Sequence, residues 1–143
     1  QNHYNLCYRE EELEMIPLCR EEKIALLPWS PLARGFLTGK YGRGARPAGK
    51  RYRRAQLLQE RYFRKEDFDV LEETVDVAKE KGATVAQVAL AWLLHKGATS
   101  PIVGVSSVSQ LEELVESTSI SLSPHDLKRL EEPYRRRATE GHV

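Results

Sequence analysis

The stretch Trp29-Ser30-Pro31-Leu32-Ala33-Arg34 follows a short apolar run and leads through small residues to Lys40. A Ser-Pro turn of this kind suits a place where backbone must come close to a ligand. A second chemical feature is basic: between Arg43 and Lys65 lie nine Arg or Lys residues against one acid, Glu60. Aromatics interleave with these charges in "GKRYRRAQLLQERYF", which also suits a phosphate-tracking nucleic-acid surface. The plainer reading is a solvated loop. Ser107 with Gln110 three residues on reads as a helix cap, which accounts for both without a ligand. The four histidines, His3, His95, His125 and His142, and the two cysteines, Cys7 and Cys19, fall at no metal-ligand spacing, so no metal site is expected.

A chain of 143 residues is about one domain and can bury roughly two-thirds of its unfolded surface. Its 41% hydrophobic and 30% charged residues are those of an ordinary soluble globular protein. No run of about 18 apolar residues is present, so no membrane span is expected, and the opening residues lack the apolar core of a signal peptide. Sparse cysteine points to free buried thiols in a reducing, cytoplasmic setting. A start without methionine, inside an apparent strand, leads to the expectation of a fragment.

Several elements must position these residues. Residues 1–6 read as a short strand. Glu10 to Lys23 reads as a helix with Leu13, Ile16 and Cys19 or Arg20 on its face, and Pro17 predicts a break, a kink or a later start. Ile24 to Leu27 is a continuous apolar run, the pattern of a strand covered on both faces. Gly39 to about Arg64 reads as loop, with residues 42–65 as a basic, lid-like segment. Phe68, Leu71, Val75 and Ala78 then repeat at helical spacing up to Gly82, with Lys79 and Lys81 complementing the helix end. Thr84 and Gln87 form a capping box before an almost wholly apolar, deeply buried helix that ends near His95. Residues 100–105 read as another strand, ending at Gly104, and Ser123-Pro124-x-Asp126 opens the last helix. Strands alternating with helices imply a parallel sheet with right-handed crossovers. Three strands can neither cover both faces of such a sheet nor close a barrel, so part of a larger architecture is expected.

In order and spacing, "QNHYNL", "WSPLARGFLTGKY", "PAGKR" and "IVGVSSVSQLEEL", with the closing "SLSPHDLKRLEEPY", resemble the aldo-keto reductase family, in particular the branch shared with voltage-gated potassium channel β-subunits. The resemblance covers nearly the whole chain but only the C-terminal half of a family member. It implies an α/β fold: the C-terminal part, about three strands and their helices, of a (β/α)8 TIM barrel of roughly 250 residues. Residues 1–143 would be a partial domain holding strands six to eight and the C-terminal helix. Ligands in such barrels sit in the loops after the strands, where these motifs fall.

The resemblance also implies roles in binding NADP(H). Gln1 would hydrogen-bond the nicotinamide carboxamide, while Tyr4 would either stack on the nicotinamide ring or pack. Trp29, Ser30, Pro31, Leu32, Ala33 and Arg34 would form the turn under the pyrophosphate, where small residues and backbone N–H groups admit phosphate. Lys40 would offer a point charge to phosphate and Arg51 a planar fork to the 2′-phosphate. Gly104, Ser106, Gln110 and Glu113 would hold the adenosine end, near a helix N-terminus that favours anions. Family members commonly carry Asn directly after that acid; Leu114 stands there instead. The family's catalytic Asp, Tyr, Lys and His lie on its first four strands, so this chain is assigned no catalytic residue.

The implied function is the cofactor-binding portion of a reductase that moves hydride between NADPH and a small aldehyde or ketone, with the isolated chain inactive. No nucleic acid or membrane partner is expected. Two alternatives are a non-catalytic nucleotide-binding or regulatory module, and a truncated remnant that self-associates through exposed sheet edges.

Overall fold

The computed structural model describes residues 1–44 and 61–137. Among them stand five α-helices: α1 (Met15–Glu21), α2 (Lys65–Lys81), α3 (Val85–His95), α4 (Val108–Val115) and α5 (Pro124–Glu131). Short 3-10 turns occupy Glu10–Glu12, Ala33–Thr38 and Glu116–Ser119. No helix among the described residues is long and apolar enough to cross a membrane.

α1 starts later than its apolar pattern suggests. With Met15 first, Pro17 falls in the opening turn, where a missing N–H costs no intrahelical bond. Ile16 and Cys19 are buried, whereas Leu13, ahead of the helix, is half exposed. The caps form as the sequence predicts. Thr84 Oγ1 accepts from the Gln87 N–H at 3.2 Å, and the Gln87 side chain accepts from the Thr84 N–H at 2.9 Å. Ser123 and Asp126 reciprocate likewise at 3.2 and 2.8 Å, with Pro124 first in the helix. At α4, Ser107 accepts from the Gln110 N–H, but the Gln110 carboxamide reaches one residue further back, to the Ser106 N–H at 2.9 Å.

α3 is the centre of the core. Every residue from Ala86 to Leu93 is buried, with Val88, Trp92 and Leu93 fully enclosed. Each such large side chain contributes about 1.5–3 kcal/mol of transfer free energy. α2, α4 and the turn at Ala33–Thr38 pack against it.

The strands are where structure and sequence pattern part. No named strand forms among the described residues; three segments meet instead through isolated parallel bridges, His3 to Trp29 and Trp29 to Ile102. The Trp29 N–H donates to the Asn2 carbonyl at 2.9 Å, and the N–H groups of Ile102 and Thr99 donate to the carbonyls of Pro28 and Leu26, both at 2.8 Å. Two features cut the ladder short. Pro28 has no N–H to give, and the Leu26 N–H bonds the Thr99 hydroxyl at 3.2 Å. The expected order and parallel sense are present, but the continuous strands of a partial barrel are not. Nor is the Ile24 to Leu27 run covered on both faces: Leu26 is 4% exposed, but Ala25 on the opposite face is exposed, and Ile24 is 56% exposed. Most of the basic segment 42–65 lies outside the described residues.

Candidate functional site

The turn after Trp29 is held in an unusual backbone. Ser30, Ala33 and Arg34 take left-handed φ values of 52°, 49° and 55°, followed by Gly35 at 93° and Gly39 at 78°. For non-glycine residues this conformation costs about 1–2 kcal/mol each, so packing must enforce it. Ala33, Phe36 and Leu37 are fully buried. The Phe36 ring meets Phe68 of α2 edge-on at 5.2 Å and Phe63 at 5.3 Å. A Cβ on Gly39 would stand 2.9 Å from Val85 Cγ2 at the start of α3. Small residues here let the turn press against the helices.

The first segment fixes the other side of the turn. His3 lies flat between Tyr8 and Trp29, with centroids 4.1 and 4.2 Å away and interplanar angles of 13° and 12°. Its Nε2 is 2.5 Å from the Tyr62 hydroxyl. Asn5 Nδ2 donates to the Ser30 carbonyl at 2.9 Å and to the Tyr62 hydroxyl at 3.2 Å. Sequence reading passed over His3 and Asn5. The available signal was period two: once Gln1 is placed on the ligand side, His3 and Asn5 share it, and Asn2 and Tyr4 take the other.

Tyr4 takes the packing role of its two alternatives. It is fully buried, its ring lies 5.2 Å from Trp92, and its hydroxyl donates to Glu12 Oε1 at 2.6 Å. Burial, and then the Glu12 bond, push its hydroxyl pKa upward. Such an enclosed ring has no face for a nicotinamide, which corrects the stacking alternative.

Arg34 and Lys40 converge on the turn. Arg34 Nε is buried and has no hydrogen-bond partner among the described residues. A buried donor of this kind is costly, and an anion over the turn would satisfy it. Lys40 folds back so that its Nζ would lie 3.0 Å from a Cβ on Gly35, and it also sits 5.1 Å over the Tyr41 ring. Gly104, Ser106 and Gln110 follow Ile102, which bridges to Trp29, and all three are exposed, as is Gln1. The Glu113 carbonyl accepts from Gln87 Nε2 at 2.8 Å. Leu114 is turned into the core. Arg51 lies outside the described residues.

Two described residues of the basic segment, Arg43 and Arg64, pair with acids of α2. Arg43 forks onto Glu72 at 2.6 and 2.7 Å and reaches Asp69 at 2.5 Å, and Arg64 lies 3.6 Å from Glu66. Among the described residues no group of three His, Cys, Asp or Glu side chains could hold a metal ion.

Residues 1–135 match the aldo/keto reductase family, and the chain belongs to it. It is 40% identical to a Schizosaccharomyces pombe protein that carries an aryl-alcohol dehydrogenase name, over 94% of this chain and 40% of that one. Identity is 36% to the versiconal hemiacetal acetate reductase of Aspergillus parasiticus, over 94% of this chain and 39% of that one. It is also 36% to an aldo-keto reductase of Alternaria alternata, over 99% and 38%. The chain spans about two-fifths of the length of these curated relatives.

Proposed function

We propose that this chain is the cofactor-binding portion of an NADP(H)-dependent aldo-keto reductase acting on a small aldehyde or ketone. The observation that carries the reading is the strained turn with Arg34 Nε buried beside it, unsatisfied within the described chain, and Lys40 folded over Gly35. That donor set fits a pyrophosphate. The bound dinucleotide supplies the hydride chemistry, and the chain binds and orients it. Backbone from Trp29 to Arg34, with Lys40, holds the phosphates, and Gln1 holds the carboxamide. Gly104, Ser106, Gln110 and Glu113 hold the adenosine end, while Arg51 reads the 2′-phosphate and so favours NADP(H) over NAD(H). His3 and Asn5 keep the turn in register through Trp29 and the Ser30 carbonyl. The family's acid and its partners have no counterpart in this chain, so it is expected to bind without turnover. The dehydrogenase and reductase names of the relatives support an enzyme lineage over the channel-subunit likeness.

The test is a titration of the pure chain with NADPH and with NADH, following Trp29 and Trp92 fluorescence. Saturable quenching that favours NADPH is expected, and Arg51→Ala should weaken NADPH roughly tenfold to a hundredfold more than NADH. Equal losses for both cofactors would remove Arg51 from 2′-phosphate recognition. A folded chain that binds neither cofactor would sink the reading of a self-sufficient binding portion. Carbonyl-dependent NADPH oxidation by the chain alone would overturn the expected inactivity.

A further inference from the structure

Four stretches that are far apart in sequence meet in a line of hydrogen bonds that ends on the strained turn. The line starts at Arg137, whose side chain is 9% exposed. One terminal nitrogen bonds the Asp67 carboxylate, itself 2% exposed, and the other donates to the Arg61 carbonyl at 2.6 Å. The Arg137 N–H donates to Glu10 at 2.9 Å, so backbone and side chain are both held. The second Asp67 oxygen accepts from the Arg64 N–H at 3.1 Å. The Arg61 carbonyl belongs to the planar peptide that joins Arg61 to Tyr62. A guanidinium on that oxygen therefore fixes the direction in which Tyr62 leaves the peptide.

Tyr62 carries the constraint to the turn by two routes. Its ring stacks with Phe36 at 6.3 Å and 16°. Its hydroxyl, 2.5 Å from His3 Nε2, accepts from Asn5 Nδ2 at 3.2 Å. Asn5 Nδ2 also donates to the Ser30 carbonyl at 2.9 Å, and Asn5 Oδ1 accepts from the Cys7 N–H at 2.9 Å. Fully buried and bonded at both ends, the Asn5 carboxamide is held to one orientation. The Ser30 carbonyl accepts a second bond, from the Ala33 N–H at 2.9 Å, which closes the turn. Ser30 stands at φ 52°, a conformation that a residue with a side chain keeps only where its surroundings enforce it. Burial of Phe36 and Leu37 makes the turn, and the Asn5 bond sets where its first carbonyl points.

We propose that Arg137 is a positioning residue for the dinucleotide turn: by holding the Arg61–Tyr62 peptide it keeps Tyr62 on Asn5, and Asn5 on the Ser30 carbonyl. This rests on the reading of that turn as the pyrophosphate site and adds a residue that acts on it from a distance. Arg129 of α5 supplies the control. It too joins α2, through Glu73 at 3.1 Å and Glu80 at 2.8 and 2.9 Å, but neither acid bonds the turn or residues 1–8. The test is amide hydrogen exchange of the 143-residue chain by NMR. It is read at Ala33 and Gly35, whose N–H groups bond within the turn, with residues 89–93 of α3 as the internal reference. Arg137→Gln and Tyr62→Phe should each speed exchange at the turn by about tenfold relative to α3. The double variant should add little to either, because both cut the same line. Arg129→Gln should leave the ratio of turn to α3 within about twofold of the parent. NADPH affinity should fall about fivefold in Arg137→Gln and Tyr62→Phe. Arg137→Lys keeps a charge for Asp67 but cannot also fork onto the Arg61 carbonyl, so it should show the same pattern with a milder loss of stability.

Turn amides that keep pace with α3 in Arg137→Lys and Tyr62→Phe would overturn the proposal. So would an equal response in Arg129→Gln, effects of Arg137→Gln and Tyr62→Phe that add in full, or faster turn exchange with NADPH affinity unchanged. Exchange is read without cofactor, which separates this failure from that of the reading beneath it. A parent that binds no NADPH removes the pyrophosphate site, while the turn amides still decide whether Arg137 holds the turn.

Discussion

Arg9 and Arg34 present the same guanidinium to opposite surroundings. Arg9 bonds Glu12 at 2.8 and 3.1 Å and Glu131 at 3.2 Å, and it lies over the rings of Trp92 and Tyr134 at 5.5 and 5.1 Å. Glu12 also receives the Tyr4 hydroxyl, and Glu131 receives the Trp92 indole N–H at 2.9 Å and Lys96 at 3.2 Å. Burial alone would raise the Glu12 pKa, but the bonds from Arg9 and Tyr4 outweigh it and hold the carboxyl low. Arg34 sits on strained backbone with its Nε unsatisfied among the described residues. Arg137 shares that orphaned Nε, yet its terminal nitrogens are engaged by Asp67 and the Arg61 carbonyl. The contrast separates a guanidinium spent on joining the helices from one whose Nε has no partner among the described residues.

Removing Arg9 should have the largest effect. Arg9→Met leaves two partly buried carboxylates with Lys96 as their remaining shared cation among the described residues and should cost about 2–4 kcal/mol in urea unfolding. A loss below about 0.5 kcal/mol would erase the contrast. Gly35→Ala comes next, at about 1–2 kcal/mol by thermal unfolding, because φ is 93° and the new Cβ would meet Lys40 Nζ at 3.0 Å. It should also weaken NADPH binding by moving that ammonium.

Acid sharpens the structural side of the comparison. Burial alone would raise the Asp126 carboxyl, but Lys81 at 2.7 Å and the bonds from Ser123 hold its pKa at about 2. A folded-state value below the unfolded one means that its contribution is fully present above about pH 4 and is lost as the pH falls toward 2. Urea midpoints across that window should drop by no more than about 1 kcal/mol equivalent, and Asp126→Asn should flatten this part of the fall. The smallest change in stability belongs to Arg34→Met, which should stay within about 0.5 kcal/mol of the parent or rise above it. Its NADPH affinity should nevertheless fall. Loss of stability without loss of affinity would place Arg34 with Arg9.

The caps at Thr84, Ser107 and Ser123 were readable because each depends on bonds spanning three or four residues. The Ile24 to Leu27 run was misread because apolar character says nothing about donors. Pro28 and the Thr99 hydroxyl decide that ladder, and they come from different parts of the chain. At the turn, the small residues and proline in "WSPLARG" made an irregular backbone legible. The His3–Tyr62 bond was not, because its partners are 59 positions apart and neither residue type demands the other. Tyr4 illustrates the same limit: two roles suited its side chain, and the Glu12 carboxylate selected one.

The contacts around Arg9 also impose an order in time. The Tyr134 hydroxyl donates to Glu10 at 2.6 Å, the Arg137 N–H donates to Glu10 at 2.9 Å, and the Arg9 N–H donates to the Tyr134 hydroxyl at 3.0 Å. These partners are separated by 124, 127 and 125 positions. A ribosome adds about 5–20 residues per second, so Glu10 waits on the order of ten seconds for its partners to be made. During that interval α1 and α3 can form and pack, and residues 2–5 can close on Trp29, Ser30 and Trp92, but Tyr134 and Arg137 are not yet there for Glu10. A nascent chain stalled before Tyr134 would therefore carry its helices and its Trp29 turn with the Glu10 carboxylate still in water.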